Sequence, residues 1–140
     1  MNLSKEEILQ KANLMCKNTL METLNIEFTD MTKTTLTARM PVNSRVHQPD
    51  GVLHGGASVA LAESLGSCAA FIFLDSKDVV VRGIEIAANH VKSIREGYVT
   101  AEATAVHLGK TTQLWQIRIV NPQNELISLC KLTTITIPKK

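Results

Sequence analysis

Glu63 has the clearest capacity for chemistry. Apart from Cys68 it is the one ionisable side chain between His54 and Asp75, inside a stretch that is otherwise apolar or small. A carboxylate withdrawn from water is costly unless something compensates it. Two readings stay open: a reactive carboxylate beside a carbonyl, or a structural acid paired across an interface. Ser67 follows at i+4 on the same helical face, within reach of the same space. Ser64 points about 100° away. His54-Gly55-Gly56 comes directly before this stretch. A glycine pair at a helix entrance lets backbone N–H groups face a ligand oxygen, and the positive helix end adds to the effect. The combination suits a carbonyl polarised at the helix start and attacked near the carboxylate.

The other candidates are weaker. His47, His54, His90 and His107 show no HxxxH or HxH spacing, so no metal site is expected. His90 ends an apolar strand face, as a satisfied core histidine or as a pocket-lining one. The chain has no GxSxG motif and no GxxxxGK[ST] loop, and Cys68 has no basic partner on its own helix. His107-Leu108-Gly109-Lys110-Thr111 is a short basic turn, suited to a phosphate contact or to a solvated hairpin tip.

The elements that must position these residues follow from periodicity. Of the 18 residues 57–74, 13 are apolar and lie on every side, which predicts a helix buried all round. With the Gly pair at its entrance, this central helix spans 55–74. An N-terminal amphipathic helix is predicted within 1–20: Ser4 and Glu7 form a capping box, Leu3 and Ile8 a hydrophobic staple. Ile8, Ala12, Met15, Cys16 and Leu20 make its apolar stripe. Residues 24–30 and 34–40 alternate as a hairpin, and 41–56 is irregular. A loop at 75–78 leads to four strands at 79–93, 98–107, 112–120 and 126–137, predicted to form one antiparallel meander. The fold class is α+β, one long helix enclosed by an antiparallel sheet with help from a second subunit.

Composition narrows the function classes. The chain has 140 residues, enough for one domain over 1–140, with 44% hydrophobic and 20% charged residues. A net charge of +2 with 4% aromatic residues gives no nucleic-acid footprint. Cys16, Cys68 and Cys130 are odd in number and contain no CxxC pair, which fits a reduced, cytoplasmic setting. The start of the chain has no signal-type apolar run, and the 18-residue stretch carrying Glu63 reads as a core helix, not a membrane span.

Two stretches carry a resemblance: residues 48–58 (QPDGVLHGGAS) followed by 61–67 (LAESLGS). Together they resemble the signature of hotdog-fold acyl-CoA thioesterases of the phenylacetate-pathway type. Residues 83–93, His107-Leu108-Gly109 and Trp115-Gln116-Ile117 are similar to the same group. Within it, the likeness is to bacterial 1,4-dihydroxy-2-naphthoyl-CoA thioesterases of menaquinone synthesis and their enterobactin-pathway relatives.

The resemblance implies hydrolysis of an aromatic acyl-CoA without a cofactor, in a homodimer or a homotetramer of paired dimers, with active sites at the dimer interface. It makes Glu63 the nucleophile or general base. The Gly55 N–H and the Gln48 amide would polarise the thioester carbonyl, His54 would shape the helix entrance, and Ser67 would orient water or the acyl group. His90 would contact the acyl ring. Gly83, His90, Val91, Lys92 and Ser93, together with His107, Leu108, Gly109, Lys110, Thr111 and Thr112, would line the coenzyme A path. Lys92 and Lys110 would meet phosphates there, with Arg82 and Arg95 as further candidates. Lys110-Thr111-Thr112 and residues 75–78 depart from the family pattern. The alternative is a non-catalytic hotdog protein that binds an acyl-CoA or acyl carrier. Such sensors carry a DNA-binding module, for which 20 N-terminal residues leave no room. A hotdog hydratase would want an Asp/His pair near the helix start, which the Gly-Gly-to-Glu63 pattern does not match.

Overall fold

The computed structural model describes residues 2–75 and 77–140; Ser76, within the predicted 75–78 loop, lies outside them. Helix α1 (Lys5–Met15) begins as the capping box requires. The Ser4 hydroxyl accepts from Glu7 N at 3.1 Å and Ser4 N donates to Glu7 Oε1 at 3.2 Å. It stops short of the predicted residue 20. Asn18 turns left-handed (φ 61), and a second short helix, α2 (Leu20–Thr23), restarts on the Thr19 cap. The apolar stripe is therefore cut: Ala12 and Cys16 are buried, while Met15 and Leu20 remain 63% and 58% exposed.

Strands β1 (Glu27–Met31) and β2 (Thr35–Val42) form the predicted hairpin, with Leu36, Ala38 and Met40 fully buried on one face. After the long helix α3 (Gly55–Leu74) come β3 (Val79–His90), β4 (Gly97–Leu108), β5 (Thr112–Val120) and β6 (Leu126–Pro138). They complete one antiparallel sheet in the order β1-β2-β4-β5-β6-β3. The predicted four-strand meander holds for β4-β5-β6 and fails for β3, which pairs with β6 at the sheet edge. Gly97 (φ +92) bends the chain into β4, but residues 91–96 do not close a hairpin there. They cross three strand spacings, about 14 Å, and six extended residues reach about 20 Å.

The sheet's apolar face packs on α3. Trp115, Ile117, Ile119, Cys130 and Leu132 meet the helix face of Leu61, Ala62, Leu65, Ala69 and Ala70. Gly66 permits the close approach: a Cβ there would lie 2.5 Å from Leu132 Cδ2. The expectation of burial on every side is corrected for the single chain. Only the sheet-facing side of α3 is buried, Glu63 is half-buried, and Phe71 is 47% exposed. By length and composition α3 could cross a membrane; here the sheet covers one of its faces. A bulge between Gly83 and Glu85 makes Ile84 the extra residue and turns it outward, breaking its predicted alternation with Ile86 and Ala88.

Candidate functional site

The loop before α3 is built by local bonds. Gln48 N donates to Val52 O at 2.9 Å, and Gly51 N to Gln48 O at 3.0 Å. Gly51 adopts φ +78, where a side chain would be strained. The crossing segment 91–96 braces this loop, since Leu53 N donates to Ile94 O at 2.8 Å and His47 Nε2–H to Arg95 O at 2.7 Å. The Gln48 side-chain oxygen accepts from Asp50 N–H, so its NH₂ group is left to donate.

His54 is the N-cap of α3. Its Nδ1 accepts the Gly56 N–H at 2.8 Å, which occupies one orphan donor of the first turn. The Gly55 N–H has no partner among the described residues. It opens into a cavity of about 380 Å³, with Gln48, Gly55 and Ser58 on one side and residues 90–93 on the other. His90 lies against Gly55, close enough that a Cβ on Gly55 would come within 2.7 Å of His90 Nε2. The other ring nitrogen, Nδ1, is 2.7 Å from the hydroxyl of Ser128 on β6. Lys92 pairs with Glu125 at 3.3 Å. The Asn121 amide, with Lys92, holds the Glu125 carboxyl below its ordinary range.

Glu63 is elsewhere in the same chain. Eight residues of helix separate it from Gly55, about 12 Å along the axis. Its carboxylate sits over β3, where a Cβ on Gly83 would lie 2.6 Å from Glu63 Oε2. No described side chain bonds or pairs with it. Ser67 shares its helix face. The turn 108–112 is level with Gly83, because β6 Ile135 pairs with both Arg82 and Thr112. The predicted residues thus fall into two groups. Gln48, His54, Gly55, His90, Val91, Lys92 and Ser93 gather at the helix entrance. Glu63, Ser67 and Gly83 lie along mid-helix, with His107, Leu108, Gly109, Lys110, Thr111 and Thr112 on that side of the sheet.

Sequence reasoning missed a buried polar chain that anchors this turn. Trp115 Nε1 donates to Thr134 Oγ1 (3.2 Å), Thr134 Oγ1 to Gln113 Oε1 (2.7 Å), and Gln113 Nε2 to Gly109 O (2.8 Å). The signal was parity. Gln113 shares the inward phase of Trp115 and Ile117, and Ser128 and Thr134 share that of Cys130 and Leu132. A polar residue on an apolar parity needs a partner.

Other chemistries find less support. Among the described residues no three His, Cys, Asp or Glu side chains cluster as metal ligands. Burial pushes the Cys68 thiol up to about 12, the opposite of an activated thiolate. A larger apolar cavity of about 770 Å³, between α1 and the end of α3, contains none of the predicted site residues.

A family model described as the thioesterase superfamily matches residues 50–128. The chain belongs to the thioesterase superfamily. The 1,4-dihydroxy-2-naphthoyl-CoA hydrolase of Escherichia coli is 45% identical over 126 residues, 90% of this chain and 92% of that protein. The proofreading thioesterase EntH of Cronobacter turicensis is 41% identical over 126 residues, 90% of this chain and 91% of that one. Among solved structures, a mutant thioesterase of Pseudomonas aeruginosa superposes with a TM-score of 0.91 at 44% identity, covering 94% of each chain. The fold is therefore the hotdog expected from the resemblance, an antiparallel sheet around one long helix, and the protein is a thioester hydrolase.

Proposed function

We propose that this thioesterase hydrolyses an aromatic acyl-CoA to the free acid and coenzyme A, at a site completed between two copies of the chain. One observation carries the reading. The free N–H of Gly55, with Gln48 on the same cavity, and the unpartnered carboxylate of Glu63 stand about 12 Å apart along α3, too far to serve a single carbonyl. A second copy, packed with its α3 antiparallel to the first, supplies the missing half of each site. The half-buried outer side of α3, with Phe71 exposed on it, and the open edge of β3 are the surfaces such a pairing uses. The hydrolase named for a naphthoyl-CoA, at 45% identity, supports an aromatic substrate.

In this arrangement the Gly55 N–H and the Gln48 NH₂ hold the thioester oxygen as negative charge develops on it. Glu63 either attacks the carbonyl carbon, giving an anhydride that water then cleaves, or takes a proton from the water that attacks. Both routes expel coenzyme A as the thiol and release the carboxylic acid. Ser67 orients the water or the acyl group, and His54 keeps the first turn of α3 in place through its cap. The nucleotide runs past residues 91–93 and the 107–112 turn, with Lys92 and Lys110 toward its phosphates.

The test is thiol release from benzoyl-CoA, followed with a thiol reagent, and then kcat/KM over a panel of aryl- and fatty-acyl-CoA substrates. Aryl substrates are expected to lead. Tight binding without release would mean a non-catalytic acyl-CoA binder. A phosphate contact holds ground state and transition state alike, so Lys110→Ala is expected to raise KM about threefold to tenfold at an unchanged kcat. An unchanged KM would remove Lys110 from the nucleotide path.

A further inference from the structure

The His90 ring joins two features that the proposed chemistry leaves unconnected. Its Nε2 lies against Gly55, whose free N–H opens the helix. Its Nδ1 meets Ser128 Oγ at 2.7 Å. Ser128 is fully buried on the core-facing parity of β6, opposite His90 in the strand pairing. A buried serine among apolar neighbours is costly unless its hydroxyl is satisfied.

The direction of that hydrogen bond decides what Nε2 presents. Among the described residues, His90 Nδ1 is the sole side-chain partner of the Ser128 hydroxyl, and no backbone carbonyl accepts from it. If Nδ1 carried the proton, Ser128 would accept, and its own buried O–H would be left unmade, the expensive outcome for a buried donor. If Ser128 donates, both groups are satisfied and the ring proton moves to Nε2. Nε2–H then faces the cavity beside the Gly55 N–H. Gly55 N does not donate to Nε2, so both N–H groups are available to a third atom.

We infer that Ser128 is a positioning residue that fixes the neutral His90 ring with its proton on Nε2, making Nε2–H a donor to the thioester oxygen alongside the Gly55 N–H. This rests on the hydrolase reading above and deepens it. It places His90 at the carbonyl end of the substrate, with the ring held by a residue that never touches substrate. Ser128 also explains why a histidine can end an otherwise apolar strand face. The strand pairing sets Ser128 opposite it, and the hydroxyl holds the ring against the helix entrance.

The experiment has one arm independent of catalysis. In the folded wild-type protein at about pH 8, above the ordinary histidine range, nitrogen NMR of the His90 ring is expected to show a protonated Nε2 and an unprotonated Nδ1. A protonated Nδ1 overturns the inference whatever the enzyme's activity. Ser128→Ala is expected to mix the two tautomers and lower kcat about tenfold with little change in KM. Ser128→Thr, which keeps the hydroxyl, should hold both the tautomer and most of kcat. A Ser128→Ala protein that folds, keeps the wild-type tautomer and loses activity would overturn the positioning role. If Ser128→Ala fails to fold, the wild-type spectrum and the Ser128→Thr pair still decide. A wild-type protein with the expected tautomer and no thiol release would refute the hydrolase reading alone.

Discussion

Replacing Glu63 with Gln is expected to lower kcat by about 10²–10⁴, the scale of a removed general base, in a protein that stays folded. The amide is nearly isosteric, and the carboxylate it replaces has no described side-chain partner within the chain, so no buried charge is orphaned. Melting temperature and circular dichroism check the fold, and single-turnover kinetics check the chemistry. A folded Glu63→Gln enzyme with the wild-type kcat would return Glu63 to the structural reading. Glu63→Asp is the finer probe: it withdraws the carboxylate by one methylene, and a misplacement near 1 Å costs about 10²-fold. Position can also be disturbed from the other side. A Cβ on Gly83 would lie 2.6 Å from Glu63 Oε2, so Gly83→Ala should displace the carboxylate and lower kcat while leaving Glu63 itself in place.

The sequence disclosed the local parts of this molecule more fully than their connections. Ser4 and Glu7 announced their capping box because it involves four consecutive residues. The run around Glu63 announced α3 because 20 residues of helix carry a strong apolar signal. The break between the predicted strands 79–93 and 98–107 was correctly seen and wrongly used. A glycine with positive φ says that the chain bends, not which strand it then meets, and the pairing of β3 with β6 depends on contacts 38 to 59 residues apart. The bulge at Ile84 was invisible for the same reason, since an extra residue exists only relative to a partner strand. Within the site, Glu63, Gln48, His54 and Gly55 could be named, and the eight-residue spacing of Gly55 and Glu63 on a 55–74 helix already sets them about 12 Å apart. Ser128, Gln113 and Thr134 sat in plain view on apolar parities. What was missing was the neighbour that satisfies each.

That separation gives the second large effect. Gln48→Ala removes one of the donors facing the developing oxyanion, and a lost donor of this kind costs about 2.7–4 kcal/mol. Gln48 shares the work with the Gly55 N–H at the positive end of α3, so the lower part of the range applies: about 10²-fold in kcat, KM nearly unchanged, and less than the loss in Glu63→Gln. The two variants also test each other. If each site takes Glu63 from one copy and Gln48 with Gly55 from the other, a Glu63→Gln chain and a Gln48→Ala chain fail for complementary reasons. Unfolded together and refolded as an equal mixture, half of the dimers pair one chain of each kind. In such a dimer one site receives both defects and the other receives none. The mixture should therefore recover about a quarter of wild-type activity by this symmetry, far above either variant alone. A site contained within one chain predicts no recovery at all, because every site then carries a defect however the chains pair. Sedimentation of the mixture, with one variant tagged, establishes that mixed dimers formed, so that an absent recovery counts against the shared site and not against the refolding.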